Sequence, residues 1–117
     1  MRITIVEVNK TIDFPPVINL IKVLLDQKHS IKLISRTTNE LPDEIKNNDN
    51  FTSYEIPWIN ENNIFNKFRH RFILNSFVRK QTKECMKDCD ILWTTSIVTI
   101  RELRKDVFRY KHVFQLR

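Results

Sequence analysis

Apolar positions along this chain alternate between a period near two and a period near 3.6. Arg2-Ile3-Thr4-Ile5-Val6-Glu7-Val8 is rich in β-branched residues and reads as a strand buried on both faces. A polar loop, Asn9 to Asp13, follows it. Phe14-Pro15-Pro16 then leads into Val17, Ile18, Leu20, Ile21, Leu24 and Leu25, spaced for one face of a helix. Pro16 suits the first helical turn, where its missing N–H costs nothing, and the helix is expected to stop near Lys28-His29-Ser30. Ile31 to Ser35 reads as a second strand. Arg36 to Asn50 is polar, with Leu41-Pro42 opening one helical turn. Phe51 to Ile56 alternates and reads as a third strand, ended by Pro57. Nothing between Glu61 and Asp88 breaks a helix, and in its second half Leu74, Val78, Cys85, Met86 and Cys89 fall on one side. Asp90 to Thr95 is a fourth strand. Ile97 to Phe108 is a helical stretch with Ile100, Leu103, Val107 and Phe108 as its apolar stripe, and Lys111 to Leu116 is a fifth strand.

Strands that alternate with helices imply right-handed β-α-β crossovers. The expected fold is therefore α/β, a Rossmann-like three-layer sandwich with a mainly parallel sheet of about five strands. At 117 residues the chain has room for one domain, residues 1–117, with a core large enough to stand without staples. The last residues complete a strand, where an α/β unit would next need a loop and a helix. The expectation is that the sequence is the front half of a larger protein.

Composition narrows the chemistry. The chain contains no glycine. A dinucleotide-binding turn and a P-loop both need glycine to let backbone approach a phosphate, so NAD-dependent dehydrogenase and P-loop NTPase are excluded. A net charge of +6 and a pI near 9.6 favour anionic partners. Cys85 and Cys89 do not make a disulfide scaffold and read as buried reduced thiols. Metal ligation needs more ligands than they supply, and His29, His70 and His112 are scattered, so no metal is expected. The N-terminus has no apolar stretch ahead of Glu7, Asn9 and Lys10 to serve as a signal peptide, and no apolar run nears the ~18 residues that span a bilayer. A cytoplasmic protein is expected, with peripheral attachment at the inner face of the cell membrane left open.

Ligands of α/β sheets bind beyond the carboxyl ends of the strands. Asn9, Lys10, Thr11 and Asp13 occupy that place after the first strand, and Thr95 and Ser96 after the fourth; Ser96 also reads as a simple helix cap. A second feature is the stretch from Ile64 to Leu74, which interleaves aromatic and basic residues. Lys67, Arg69, Arg71, Arg79, Lys80 and Lys83 occur with no acidic residue among them, and Phe65, Phe68 and Phe72 share one helical side. Phe65, Phe68, Arg69, Arg71 and Phe72 are the expected membrane or partner contacts, either on an anionic bilayer or against a neighbouring domain. Nucleic acid is the less favoured partner, because no recognised module supports it. No nucleophile, base and orienter converge by local spacing, and the catalytic residues stay unassigned.

The order of elements resembles the N-terminal domain of bacterial GT-B glycosyltransferases. The residues that carry the likeness are the strand Ile3 to Val8, Pro15-Pro16-Val17-Ile18-Asn19-Leu20-Ile21 with Leu24-Leu25, and the Lys28-His29-Ser30-Ile31 turn into the second strand. Cys89-Asp90-Ile91-Leu92-Trp93 and Lys111-His112-Val113-Phe114-Gln115-Leu116 extend it along the rest of the chain. Lys28 departs from the family pattern, standing where glycine usually ends the helix. The loop from Asn9 to Pro16 replaces a glycine-rich one, and a family catalytic His or Asp would fall at or beyond Arg117.

The resemblance implies the acceptor-side half of a nucleotide-sugar-dependent transferase for cell-surface polysaccharide or glycolipid synthesis. Its partners would be a C-terminal donor-binding domain or subunit and a sugar or lipid-linked acceptor. No cofactor is expected in this chain, since the nucleotide-sugar would bind the other domain, and these residues alone are expected to be inactive. Two other readings use the same scaffold. One is a stand-alone flavodoxin-like binding or regulatory module, although the third strand ends Glu55-Ile56-Pro57 and lacks the aspartate a phospho-receiver wants. The other is a basic membrane-surface adaptor without chemistry.

Overall fold

In a computed structural model the protein is described over residues 1–36, 38–57, 64–95 and 110–115, with the side chains of 64–72 outside the description. Strand β1 spans Arg2–Lys10, helix α1 Pro15–Asp26, strand β2 Ser30–Arg36 and the single-turn helix α2 Asp43–Lys46. Strand β3 spans Phe51–Glu55, helix α3 Ile64–Cys85, strand β4 Ile91–Thr94 and strand β5 His112–Phe114. Short 3-10 turns cover Thr11–Asp13 and Thr38–Glu40. The strands form one five-stranded sheet in the order β3-β2-β1-β4-β5, and every pair is parallel. The α/β Rossmann-like architecture is as the periodicity requires. The helical stretch expected over Ile97 to Phe108 lies outside the described residues.

β1 takes the middle of the sheet because it alone has six consecutive buried residues, Ile3 to Val8. Alternate side chains of the strand serve two separate cores. Ile3 and Ile5 join Ile31, Leu33 and the inner face of α1 (Val17, Ile18, Ile21, Leu25), with Leu41, Ile45 and Phe51 completing that layer. Val6 and Val8 join Ile34, Ile56 and Leu92 beneath α3, which contributes Leu74, Val78 and Cys85. Met86 packs in this core just past the end of α3, and Cys89 is only partly buried rather than sequestered. Lys32, on the same face, reaches out to Asp88 with Nζ–Oδ1 at 2.6 Å and ties the turn after α3 to β2. That bond holds the Asp88 carboxyl below its usual range and raises the Lys32 ammonium.

Several boundaries differ from the sequence reading. β1 runs two residues past Val8, because the ladder to β2 resumes at Lys10↔Arg36 after an irregularity beyond Glu7↔Ser35. Asn9 and Lys10 are therefore strand, not loop. α3 ends at Cys85, ahead of the expected Asp88. α1 closes with a Schellman motif: the His29 N–H donates to the Leu24 carbonyl at 3.0 Å and the Lys28 N–H to the Leu25 carbonyl at 2.9 Å. The motif needs a left-handed residue, and Lys28 supplies it at φ 65°. The lysine thus adopts the conformation that glycine takes more readily, with a Cβ–carbonyl conflict as the cost. Lys28→Gly is expected to stabilise the fold by somewhat under 1 kcal/mol. Urea unfolding of the two proteins side by side checks this, and Lys28→Val should shift the midpoint the other way.

Candidate functional site

The ordering of strands creates a switch point. From β1 the chain passes through α1 to β2 on one side, and from β4 it continues to β5 on the other. The connections leaving the carboxyl ends of β1 and β4 diverge there, which is where open α/β sheets bind ligands. One buried carboxylate occupies this point. Glu7, in β1, is 0% exposed and lies between Ser35 of β2 and Thr95 just beyond β4.

A buried carboxylate survives only with donors to both oxygens. Oε2 accepts the Thr95 hydroxyl, and Oε1 accepts the backbone N–H of Asn9 at 3.1 Å. The Asn9 carbonyl in turn accepts the Ser35 hydroxyl at 2.6 Å. Ser35 has one hydroxyl hydrogen, and it is given to Asn9. The 2.7 Å contact between Thr11 Oγ1 and Ser35 Oγ is therefore a donation from Thr11. The irregularity after Glu7 leaves extra residues in β1, and the side chains of Glu7 in the same strand and Ser35 in β2 take up the backbone groups of Asn9.

Above this buried network stands a polar rim. Asn9 and Lys10 are half-buried and Asp13 is exposed. Arg36, in register with Lys10, is half-buried, and its desolvation pulls the guanidinium below its usual range while the Asp13 carboxylate opposes the shift. On the far side of β4, Thr94 Oγ1 lies 2.6 Å from His112 Nε2, and burial pushes the imidazole below its ordinary value. The rim presents an amide, two cations and a carboxylate within one edge of the sheet. Such a mixture suits a neutral polyhydroxylated ligand better than a lone anion.

The residues expected to contact a ligand divide into two groups. Asn9 and Lys10, half-buried, and Asp13, exposed, stand on the rim. Thr11 and Thr95 are buried, with their hydroxyls committed to Ser35 and Glu7, so they support the rim from beneath. Ser96 lies outside the described residues, as do the side chains of Phe65, Phe68, Arg69, Arg71 and Phe72. Glu7, Ser35, Arg36 and His112 were not singled out by sequence reasoning. The signal for Glu7 was present: an acid inside a strand that is otherwise apolar on both faces requires a buried partner. Among the described residues no group of three or more His, Cys, Asp and Glu is placed to hold a metal ion, and no helix is long and apolar enough to cross a membrane.

These features define a Rossmann-like α/β domain with a polar carboxyl edge. Two crystal structures of the C-terminal domain of a hydrogenase from Pyrococcus furiosus share the fold, each with a TM-score of 0.68. The sequence identities are 11% and 9%, over 97% and 98% of this chain and 90% of each of theirs. At that identity the likeness is one of architecture. No family model matches the sequence, and no curated protein matches it.

The network under the rim and the His112 contact beyond β4 are tested separately. Glu7→Ala takes the acceptor from the part-buried Asn9 N–H and leaves the Thr95 hydroxyl with its 3.4 Å bond to the Val6 carbonyl, and should cost about 1–3 kcal/mol, whereas Glu7→Gln keeps an acceptor and should cost roughly half as much. Denaturant midpoints of the two variants check the ranking. For His112, the folded state binds its proton less readily than the unfolded chain does. Stability is therefore full above the unfolded value near 6.5 and falls as pH drops through it toward the lower folded value. Thermal unfolding between about pH 7.5 and 5 should show that decline, and His112→Gln should flatten it.

Proposed function

We propose that this chain is the acceptor-side domain of a GT-B type glycosyltransferase, acting at the cytoplasmic side in cell-surface polysaccharide or glycolipid synthesis. The observation that carries the reading is the polar rim of Asn9, Lys10, Asp13 and Arg36, set at the β1/β4 switch over the bond between Glu7 and Thr95. A sugar acceptor offers hydroxyls that both donate and accept, and the rim answers with both kinds of group. The absence of glycine argues against a pyrophosphate at the same place, since no backbone there is bare enough to approach one. Donor binding then belongs to a second domain, which would close over this edge and exclude water. Without it, these residues transfer no sugar.

The test is an amide chemical-shift titration of the 117-residue protein with methyl glycosides of hexoses and N-acetylhexosamines, and separately with uridine diphosphate. Saturable shifts from a glycoside at residues 8–13, 36 and 95, with none from the nucleotide, support the reading. Shifts from the nucleotide at those residues, or silence from every glycoside, overturn it. Sugar transfer by this chain alone from any nucleotide-sugar would overturn the division of labour between domains.

A further inference from the structure

The positive charge of this protein is concentrated on one helix. Six of its twenty Lys and Arg, and only one of its fourteen Asp and Glu, lie between Ile64 and Cys85. α3 thus carries five of the six net charges, and the rest of the chain is close to neutral. Along the second half of the helix, Leu74, Val78 and Cys85 face the sheet. Ile73, Phe77 and Lys80 follow one another at the i, i+4, i+7 spacing on the adjoining flank. With Pro57 and Ser76 they line an open, mostly apolar depression of about 250 Å³. Ile73 and Phe77 are half-buried, Lys80 and Lys83 are exposed, and among the described residues neither lysine has an acidic partner.

We propose that this flank of α3 docks on an anionic phospholipid bilayer, with Ile73 and Phe77 entering the headgroup boundary and Lys80 and Lys83 lying at the level of the phosphates. The charge selects an anionic surface, and the depression beside it selects lipid over nucleic acid. A nucleic-acid backbone would use the lysines but leave the apolar wall of Pro57, Ile73 and Phe77 in water. A bilayer covers both at once, as amphipathic surface helices do. Because the helix already spends its Leu74–Val78–Cys85 stripe on the core, docking needs no unfolding. The proposal is independent of the sugar-acceptor reading, since it uses none of the rim residues.

Co-sedimentation of the whole 117-residue protein with sucrose-loaded vesicles tests it. The vesicles are phosphatidylcholine alone, or phosphatidylcholine with about one-third phosphatidylglycerol. Binding to the anionic vesicles and not to the neutral ones is expected. The double variant Lys80→Gln/Lys83→Gln changes two exposed side chains and should weaken partitioning about 25-fold, near fivefold for each lysine. Raising salt from about 0.1 to 0.5 M should weaken wild-type binding without abolishing it, and Ile73→Ser should remove the remainder. Circular dichroism establishes that each variant is folded. Absence of binding, equal binding to neutral vesicles, or an unchanged double variant overturns the proposal. So does capture of a fluorescent single-stranded oligonucleotide by a protein that ignores vesicles. Failure of the glycoside titration alongside anionic-vesicle binding would leave a membrane-surface module, and the reverse pattern would leave a sugar-binding domain without this docking face.

Discussion

β1 must satisfy four neighbours at once: β2 and β4 in the plane of the sheet, and the α1 and α3 layers above and below it. Its alternation of Ile3 and Ile5 on one face with Val6 and Val8 on the other is what splits the interior into two cores. That same enclosure makes the one charged residue in the buried run, Glu7, the most constrained group in the protein. A carboxylate there cannot turn to solvent, so Thr95 and the Asn9 amide must come to it. The connection after β4 and the irregular end of β1 are fastened to each other through a single side chain. The shape of the carboxyl edge follows from this fastening.

A chain without glycine has to make its turns by other means. α1 ends in a Schellman motif with a lysine in the left-handed position, and the edge of the sheet holds its close approaches with hydroxyl-to-backbone bonds. Side chains therefore hold turns and close approaches that glycine backbone makes in a dinucleotide-binding fold. The polar rim over Glu7 and the α3 flank of Ile73, Phe77, Lys80 and Lys83 draw on different residues. In the proposed function one takes a small hydroxylated ligand, and in the proposed docking the other takes an extended anionic surface.

Much of the fold was legible because each element buries a face whose period is local. Ile3 to Val8, the α1 stripe from Val17 to Leu25 and the Leu74–Val78–Cys85 stripe of α3 can be read from spacing alone, and they lie in the cores as that spacing requires. The candidate site was legible only in outline. Asn9, Lys10 and Asp13 could be placed toward the carboxyl end of a strand, but Thr11 and Thr95 present the same sequence signal whether their hydroxyls meet a ligand or a buried neighbour, Ser35 for one and Glu7 for the other. The extra residues at the end of β1 were also hidden, since whether Asn9 and Lys10 count as loop or strand depends on the ladder partner that Lys10 finds in Arg36 of another strand.

The sequence by itself determined the class of the fold, the faces of its helices, the exclusion of glycine-dependent phosphate sites and the crowding of positive charge between Lys67 and Lys83. Periodicity and composition are properties of neighbours in the chain, and these features need nothing more. The tertiary structure decided that β1 and β4 lie side by side and that Glu7 meets Thr95 across 88 residues. It also turned Lys28 into a left-handed cap and opened an apolar depression beside Lys80. Each of these depends on which distant groups must share a buried space, and the energy of leaving a donor or a carboxylate unpaired there is what selects the arrangement.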